Sequence, residues 1–248
     1  MNITNKTILV TGGGSGIGFE IAKLLSSKGN KVIITGRSEA RLQNAVAKLE
    51  NVSYIACDVT SGADTNRVID YVKNEFGGLD ILINNAGQAY VHNLGNREDA
   101  HGKASEEIIT NYLSVIRFIE GFLPLLEASS EAAIVNVTSI VVFAPGINLP
   151  TYAASKAALH SYTRALRYTL AKTTGIKVFE LMPPLVNTEL SAPIGGENGI
   201  PPLQVAEDLL KGFETDNYEI HVGQTADLYQ LYLSSPEQAL QVLNQGRE

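Results

Sequence analysis

Ile8-Leu9-Val10-Thr11-Gly12-Gly13-Gly14-Ser15-Gly16-Ile17-Gly18, residues 8–18, is the stretch that decides the fold. Its apolar start predicts a buried strand, and the glycines after it predict a tight turn. Phe19-Glu20-Ile21-Ala22-Lys23-Leu24-Leu25 follows with apolar residues at helical spacing, ended by Gly29. Strand, glycine turn and helix in that order is the setting in which glycines signal a dinucleotide rather than an ordinary turn. Glycine lets the backbone approach a pyrophosphate, which then rests on unpaired N–H groups at the helix start. Gly12, Gly14, Ser15, Gly16, Ile17 and Gly18 are the candidate contacts. No Lys-Ser or Lys-Thr follows the last glycine, which argues against an NTPase phosphate loop.

Outward from this segment, short β-rich runs alternate with longer helical patterns, which predicts βαβ units and a parallel sheet. Strands are expected near 7–11, 31–35, 53–57, 80–84, 132–138, 176–182 and 218–222. Helices are expected near 17–28, 39–49, 62–75, 105–127, 151–173 and 203–213, with more helix after 225. No repeat or long linker divides the chain, so residues 1–248 read as one α/β domain.

A second constellation lies downstream. Tyr152 and Lys156 stand four residues apart, with Ser139 ending an apolar run upstream. Four residues is about 400° of helix, so phenol and ammonium share a face. Bringing a phenol from about 10 toward 7 needs about 4 kcal/mol. One ammonium about 4 Å away, at an effective dielectric near 20, supplies about that much. The pair is read as a proton-transfer device; an amphipathic helix with a solvated lysine is the plainer alternative.

Composition narrows the classes. With 248 residues and 44% hydrophobic content the chain can bury one sizeable core. The net charge, 19 − 26 = −7, and the lack of a basic run argue against nucleic acid or an anionic membrane as partner. A lone cysteine, Cys57, excludes an internal disulfide and fits a reducing compartment. No signal-type leader and no apolar run near the roughly 20 residues of a membrane span is read, so a cytoplasmic location is expected. The four histidines are scattered without zinc-ligand spacing, and no metal is expected.

Taken together these residues resemble the short-chain dehydrogenase/reductase family, from Lys6 to about Thr188. The resemblance is carried by Thr11, Gly12, Gly16 and Gly18, by Asn84-Asn85-Ala86-Gly87, by Asn111, Ser139, Tyr152 and Lys156, and by Pro183 to Thr188. It implies a Rossmann-type, doubly wound parallel seven-stranded sheet of order 3-2-1-4-5-6-7 and an NAD(P)-dependent oxidoreductase. It implies Tyr152 as general acid/base and Lys156 as its activator and ribose ligand. Ser139 would hold the substrate carbonyl, and Asn111 would position a water linking Lys156 to solvent. Asp58 with Val59 would meet the adenine, Asn85, Ala86 and Gly87 would lie under the cofactor, and Pro183, Val186 and Thr188 would meet the nicotinamide. For Asp58 the alternative is an ordinary helix cap.

Cofactor choice is read at the end of the second strand. An acidic residue there would accept from a ribose 2′-hydroxyl. Gly36 and Arg37 stand there instead, so NADP(H) is expected over NAD(H), its 2′-phosphate gripped by the guanidinium.

The resemblance weakens toward the end. Pro184 replaces the usual glycine after Pro183, and 189–248 diverge. The glycine-bearing loop from Glu189 to Pro201 is expected to be mobile. A helical tail replaces the usual apolar closing strand and glycine-rich end, so a homodimer through the Asn111 and Tyr152 helices is expected and a tetramer left open. The tail resembles a bacterial subgroup with a truncated substrate region, linked to cell-wall D-alanylation operons; no substrate follows from that. Tyr90, Ile140, Val141, Val142, Phe143, Leu149, Pro184 and Leu185 would form a mostly apolar pocket wall, favouring a small neutral carbonyl or alcohol; plain core packing is the equal alternative. A non-catalytic NADP-binding sensor on the same fold is the rival reading, and an epimerase or dehydratase retaining its cofactor the third.

Overall fold

The computed structural model describes residues 1–96 and 98–246. β1 (Thr7–Thr11), β2 (Lys31–Gly36), β3 (Val52–Ala56), β4 (Ile81–Asn84), β5 (Ala133–Val137), β6 (Lys177–Met182) and β7 (Glu219–His221) form one parallel sheet. Its order is β3-β2-β1-β4-β5-β6-β7, as the resemblance implied. The order reverses between β1 and β4, and ligands of such sheets lie in the crevice beyond the strand ends there. Thr11, Asn84 and Val137 end the three strands at that crevice.

Alternation along the strands explains the layers. Ile8, Val10, Val32 and Ile34 face α1 (Gly16–Ser26), α2 (Glu39–Val46) and α7 (Pro202–Thr215), where Ile21, Leu25, Leu42 and Phe213 complete one core. Leu9, Ile33 and Leu82 face the other side, packing with Val68 and Val72 of α3 (Gly62–Phe76), Phe118 and Phe122 of α5 (Ser114–Glu127) and Leu159 of α6 (Pro150–Thr173). Truncating Phe118 or Phe122, both essentially inaccessible, to alanine would cost roughly 3–5 kcal/mol.

Two segments depart from expectation, while the tail is helical as expected. The helix expected from 105 begins with α4 (Ala100–Ile108), because Asp99 caps it by accepting from Gly102 N at 3.1 Å. It runs through a π turn, Ile109–Leu113, into α5. Over Ala100–Glu127 this helix is apolar enough, by length and composition, to cross a membrane, where none was read; its Val115, Phe118, Phe122 and Leu126 are packed on the sheet. The 189–201 loop, expected to be mobile, is folded into two 3₁₀ turns, Glu189–Ile194 and Gly196–Asn198. Ser191 Oγ ties it down, donating to Val186 O and Thr188 O and accepting from Thr188 N at 3.2 Å. The tail forms α8 (Gln224–Ser234) and α9 (Pro236–Asn244), which pack through Leu228, Tyr232 and Ala239 over Ile140, Val141 and Ala144.

Candidate active site

Gly12 closes the turn after β1 with φ +66°, in the left-handed region that glycine enters without penalty. Gly18 permits close approach: a Cβ there would lie 2.4 Å from Gly12 O and 2.5 Å from Asn85 Nδ2. Ser15, the N-cap of α1, makes no side-chain capping bond, and the first turn holds no acidic residue. The helix therefore opens with unpaired donors and a positive dipole end facing the crevice, the setting a pyrophosphate requires. Thr11 Oγ1 accepts from Asn85 N (2.9 Å) and Ala86 N (3.0 Å), and Asn85 Nδ2 donates back to Thr11 O (3.0 Å). The Asn85 side chain is thus spent joining the two loops.

Gly12, Gly14, Ser15, Gly16, Ile17, Arg37, Asn85, Ala86, Gly87, Ser139, Tyr152, Lys156, Pro183, Val186 and Thr188 line one cleft of about 900 Å³. Asp58 and Val59 line a pocket of about 310 Å³ that shares Gly12, Arg37, Ala86 and Gly87 with it. The plainer reading of Asp58 as a helix cap does not hold, since Ser61 caps α3; its Oδ1 instead accepts from Thr60 N (2.9 Å) and Thr60 Oγ1 (2.8 Å) in the turn before that helix. Arg37 is exposed at the cleft edge. Arg41, which the sequence reading passed over, lines the same wall and pairs with Glu189 at 2.7 Å across it.

At the other end, Pro150 starts α6 and sets Tyr152 and Lys156 on the face toward β5. Lys156 is buried, and its Nζ donates to Val137 O at 2.8 Å, lying 5.8 Å from the Tyr152 ring centroid. Ser139 follows in extended backbone after Thr138. Asn111, buried in the π turn, accepts from Gln88 N (2.8 Å) and donates to Gln88 O (2.8 Å) and Ser155 Oγ (2.9 Å). Ser155 Oγ in turn donates to Tyr152 O at 2.7 Å. A Cβ on Gly87 would lie 3.5 Å from Asn111 Oδ1 and 3.7 Å from Lys156 Nζ, so both flank that loop. The fold brings Asn111, Ser139, Tyr152 and Lys156 together beside the nucleotide loop. A π turn at Asn111 fits the tendency of such turns to sit at functional positions.

The electrostatics differ from the simple pairing argument. Burial pushes the Tyr152 phenol up to about 12, Ser139 beside it pulls down, and the charge of Glu107 pushes up. Burial draws Lys156 down to about 8, opposed by the charge of Glu180. Burial is the largest influence on the phenol and raises it, while Lys156 Nζ is turned toward Val137 O. Two buried carboxylates, Glu107 and Glu180, influence the site from outside the expected residues. Leu243 of α9 also reaches the cleft wall, beside Ile140, Val141, Leu149, Pro184 and Leu185. Of the other expected wall residues Tyr90 lines it, whereas Phe143 packs on Tyr229 at 4.8 Å.

Comparison with known proteins agrees with this geometry. The short chain dehydrogenase family model matches residues 6–198. The uncharacterized oxidoreductase DltE of Bacillus subtilis (strain 168) is 38% identical over 200 residues, covering 81% of this chain and 79% of that protein. A short chain dehydrogenase from Burkholderia cenocepacia J2315, solved in complex with NADP, superposes with a TM-score of 0.85 at 25% identity, covering 98% of both chains. A short chain dehydrogenase/reductase from Burkholderia phymatum, solved in complex with NAD, gives 0.84 at 22% identity over 89% of both, a likeness of fold. The chain belongs to the short-chain dehydrogenase/reductase family of oxidoreductases.

Proposed function

We propose that this protein reduces a small neutral carbonyl compound to its alcohol with NADPH. The observation that carries this reading is the convergence of Ser139, Tyr152 and Lys156 on one cleft with the uncapped start of α1, Asn111 being held behind them through Ser155. The bound nicotinamide would supply hydride to the carbonyl carbon. Tyr152 then gives its proton to the developing alkoxide; a phenol held near 12 remains protonated at neutral pH, the state a donor needs. Lys156, charged and fixed by Val137 O, stabilises the phenolate left behind and would hold the nicotinamide ribose. Ser139 donates to the carbonyl oxygen and orients it. Asn111 holds the Gln88 loop and Ser155 in place behind Tyr152.

NADPH is favoured because Gly36 and Arg37 rather than a carboxylate stand at the end of β2, and Arg37 and Arg41 edge the cleft where a 2′-phosphate would lie. Being solved with NADP, the Burkholderia cenocepacia protein is consistent with that choice. Ile140, Val141, Leu149, Pro184, Leu185 and Leu243 favour an uncharged, largely apolar substrate. Exposed Ile109 and Leu113 on the Asn111 helix support pairing of two copies there.

The test is a panel of neutral aldehydes and ketones offered with NADPH, scored for equal amounts of alcohol and NADP⁺. Turnover without net NADP⁺ would point instead to a retained-cofactor reaction, and no turnover of any member would reject the reading.

A further inference from the structure

Glu180 is an acidic residue on the strand next to the β7 edge of the sheet, with none of its surface exposed. It sits on β6 between Asn136 of β5 and Glu219 of β7. Taking a carboxylate out of water costs several kcal/mol unless good partners compensate, so a buried one in a strand calls for a reason. Its partners are particular. Oε1 accepts from Thr138 Oγ1 at 2.7 Å, and both oxygens face His160 Nδ1, at 2.9 and 3.0 Å. Thr138 stands between Val137, whose carbonyl holds Lys156, and Ser139. His160 is one helical turn beyond Lys156 on α6. One carboxylate thus grips the strand end bearing Ser139 and the helix bearing Tyr152 and Lys156.

Resting on the reductase reading above, we infer that Glu180 is a positioning residue of the active site. Its carboxylate clamps α6 to the end of β5 and keeps Lys156 cationic and aligned with Ser139. An uncharged residue of similar size would fill the space and leave Lys156 with burial alone acting on it, and burial favours the neutral amine. In line with this, the charge of Glu180 opposes the fall that burial imposes on Lys156. The titratable and charged groups surrounding the clamp are Lys156, His160, Arg164 and Arg167 on α6 and Glu219 and His221 on β7, with Glu219 paired to both arginines and acting on His221. Tyr152, influenced by Glu107, lies on the cleft side of Lys156.

E180Q keeps the shape and removes the charge. In purified full-length protein it is expected to fold and to bind NADPH within about threefold of wild type, while kcat falls roughly tenfold to a hundredfold and KM for the carbonyl barely changes. The alkaline limb of its pH–rate profile is expected to move about one pH unit toward acid, a shift that a purely structural role would not produce. A readout without cofactor or turnover runs in parallel: the stability difference between each protein and its Lys156→Met derivative, followed against pH by urea unfolding. That difference should fade at lower pH in E180Q than in wild type. Unmoved limb and unmoved difference curve would overturn the inference, whatever happens to kcat. If wild type reduces no carbonyl, the functional reading fails while the difference curve alone still decides for or against Glu180. Should E180Q not fold, E180D carries the test: it keeps the charge but withdraws it from Thr138 and His160. A several-fold loss of kcat with NADPH binding retained supports the clamp, and wild-type kcat overturns it.

Discussion

Lys156 Nζ donates to Val137 O at 2.8 Å, two residues before Ser139, so the helix that bears the lysine is fastened to the strand that delivers the serine. The bond fixes the ammonium beside the cleft, at the cost of leaving a buried cation 4% exposed.

That cost makes Lys156→Met a stabilising change with a sign that can be checked. The ammonium's pKa falls from 10.5 to about 8 on folding, so the unfolded chain binds more protons between those values. Stability contributed by this group therefore rises with pH from about 8 to about 10.5, and the penalty is complete below about 8. At pH 7 removing it lifts a penalty of up to about 3 kcal/mol, offset in part by the hydrogen bond that Val137 O loses; the gain that depends on pH is gone above about 10.5, and reductase activity is lost. Urea unfolding of both proteins across pH 6–11 would check both the sign and the window.

Arg37→Ala is expected to raise KM for NADPH roughly tenfold to a hundredfold and leave NADH use unchanged, since a hydrogen bond to a charged group contributes about 1.5–3 kcal/mol. Arg41→Ala should have a smaller effect in the same direction, because Glu189 already occupies its guanidinium. Steady-state kinetics with both cofactors measure this; equal efficiency with NADH and NADPH in wild type would contradict the assignment.

Gly18→Ala introduces a Cβ 2.4 Å from Gly12 O, where backbone rather than a flexible side chain must yield. The expected outcome is about 1–3 kcal/mol lost in stability and weakened NADPH binding. Thermal unfolding and fluorescence titration of the nucleotide read the two effects.

Ile109→Asp and Leu113→Asp alter residues 41% and 43% exposed on the face expected to pair. Charging an apolar interface core should give a monomer at micromolar concentration where wild type is a dimer. Light scattering after size exclusion decides; a monomeric wild type would remove the interface.

The glycine turn and the alternating strands were legible because each signal is local: β-branched runs, a turn that only glycine makes, and helical spacing directly after it. Strand positions agree to within about two residues for the same reason. What escaped the sequence reading depends on distant partners. The start of α4 at Ala100, ahead of the expected 105, depends on Asp99, whose side chain caps it by accepting from Gly102 N. Ser191 pins a glycine-bearing segment that composition marked as mobile. Glu180 is an unremarkable strand residue in sequence, and Leu243 lies far along the chain from the wall it joins. Helix spacing reports which face Tyr152 and Lys156 occupy, not how deeply the phenol is buried or where the ammonium points.

The central claim is that Tyr152 passes the proton that completes carbonyl reduction. The most direct measurement is NADPH oxidation by wild type and Tyr152→Phe, side by side, on a carbonyl that wild type accepts. The expected result is a loss of roughly 10²–10⁴-fold in kcat with NADPH binding preserved. A variant that turned over at the wild-type rate would contradict the account.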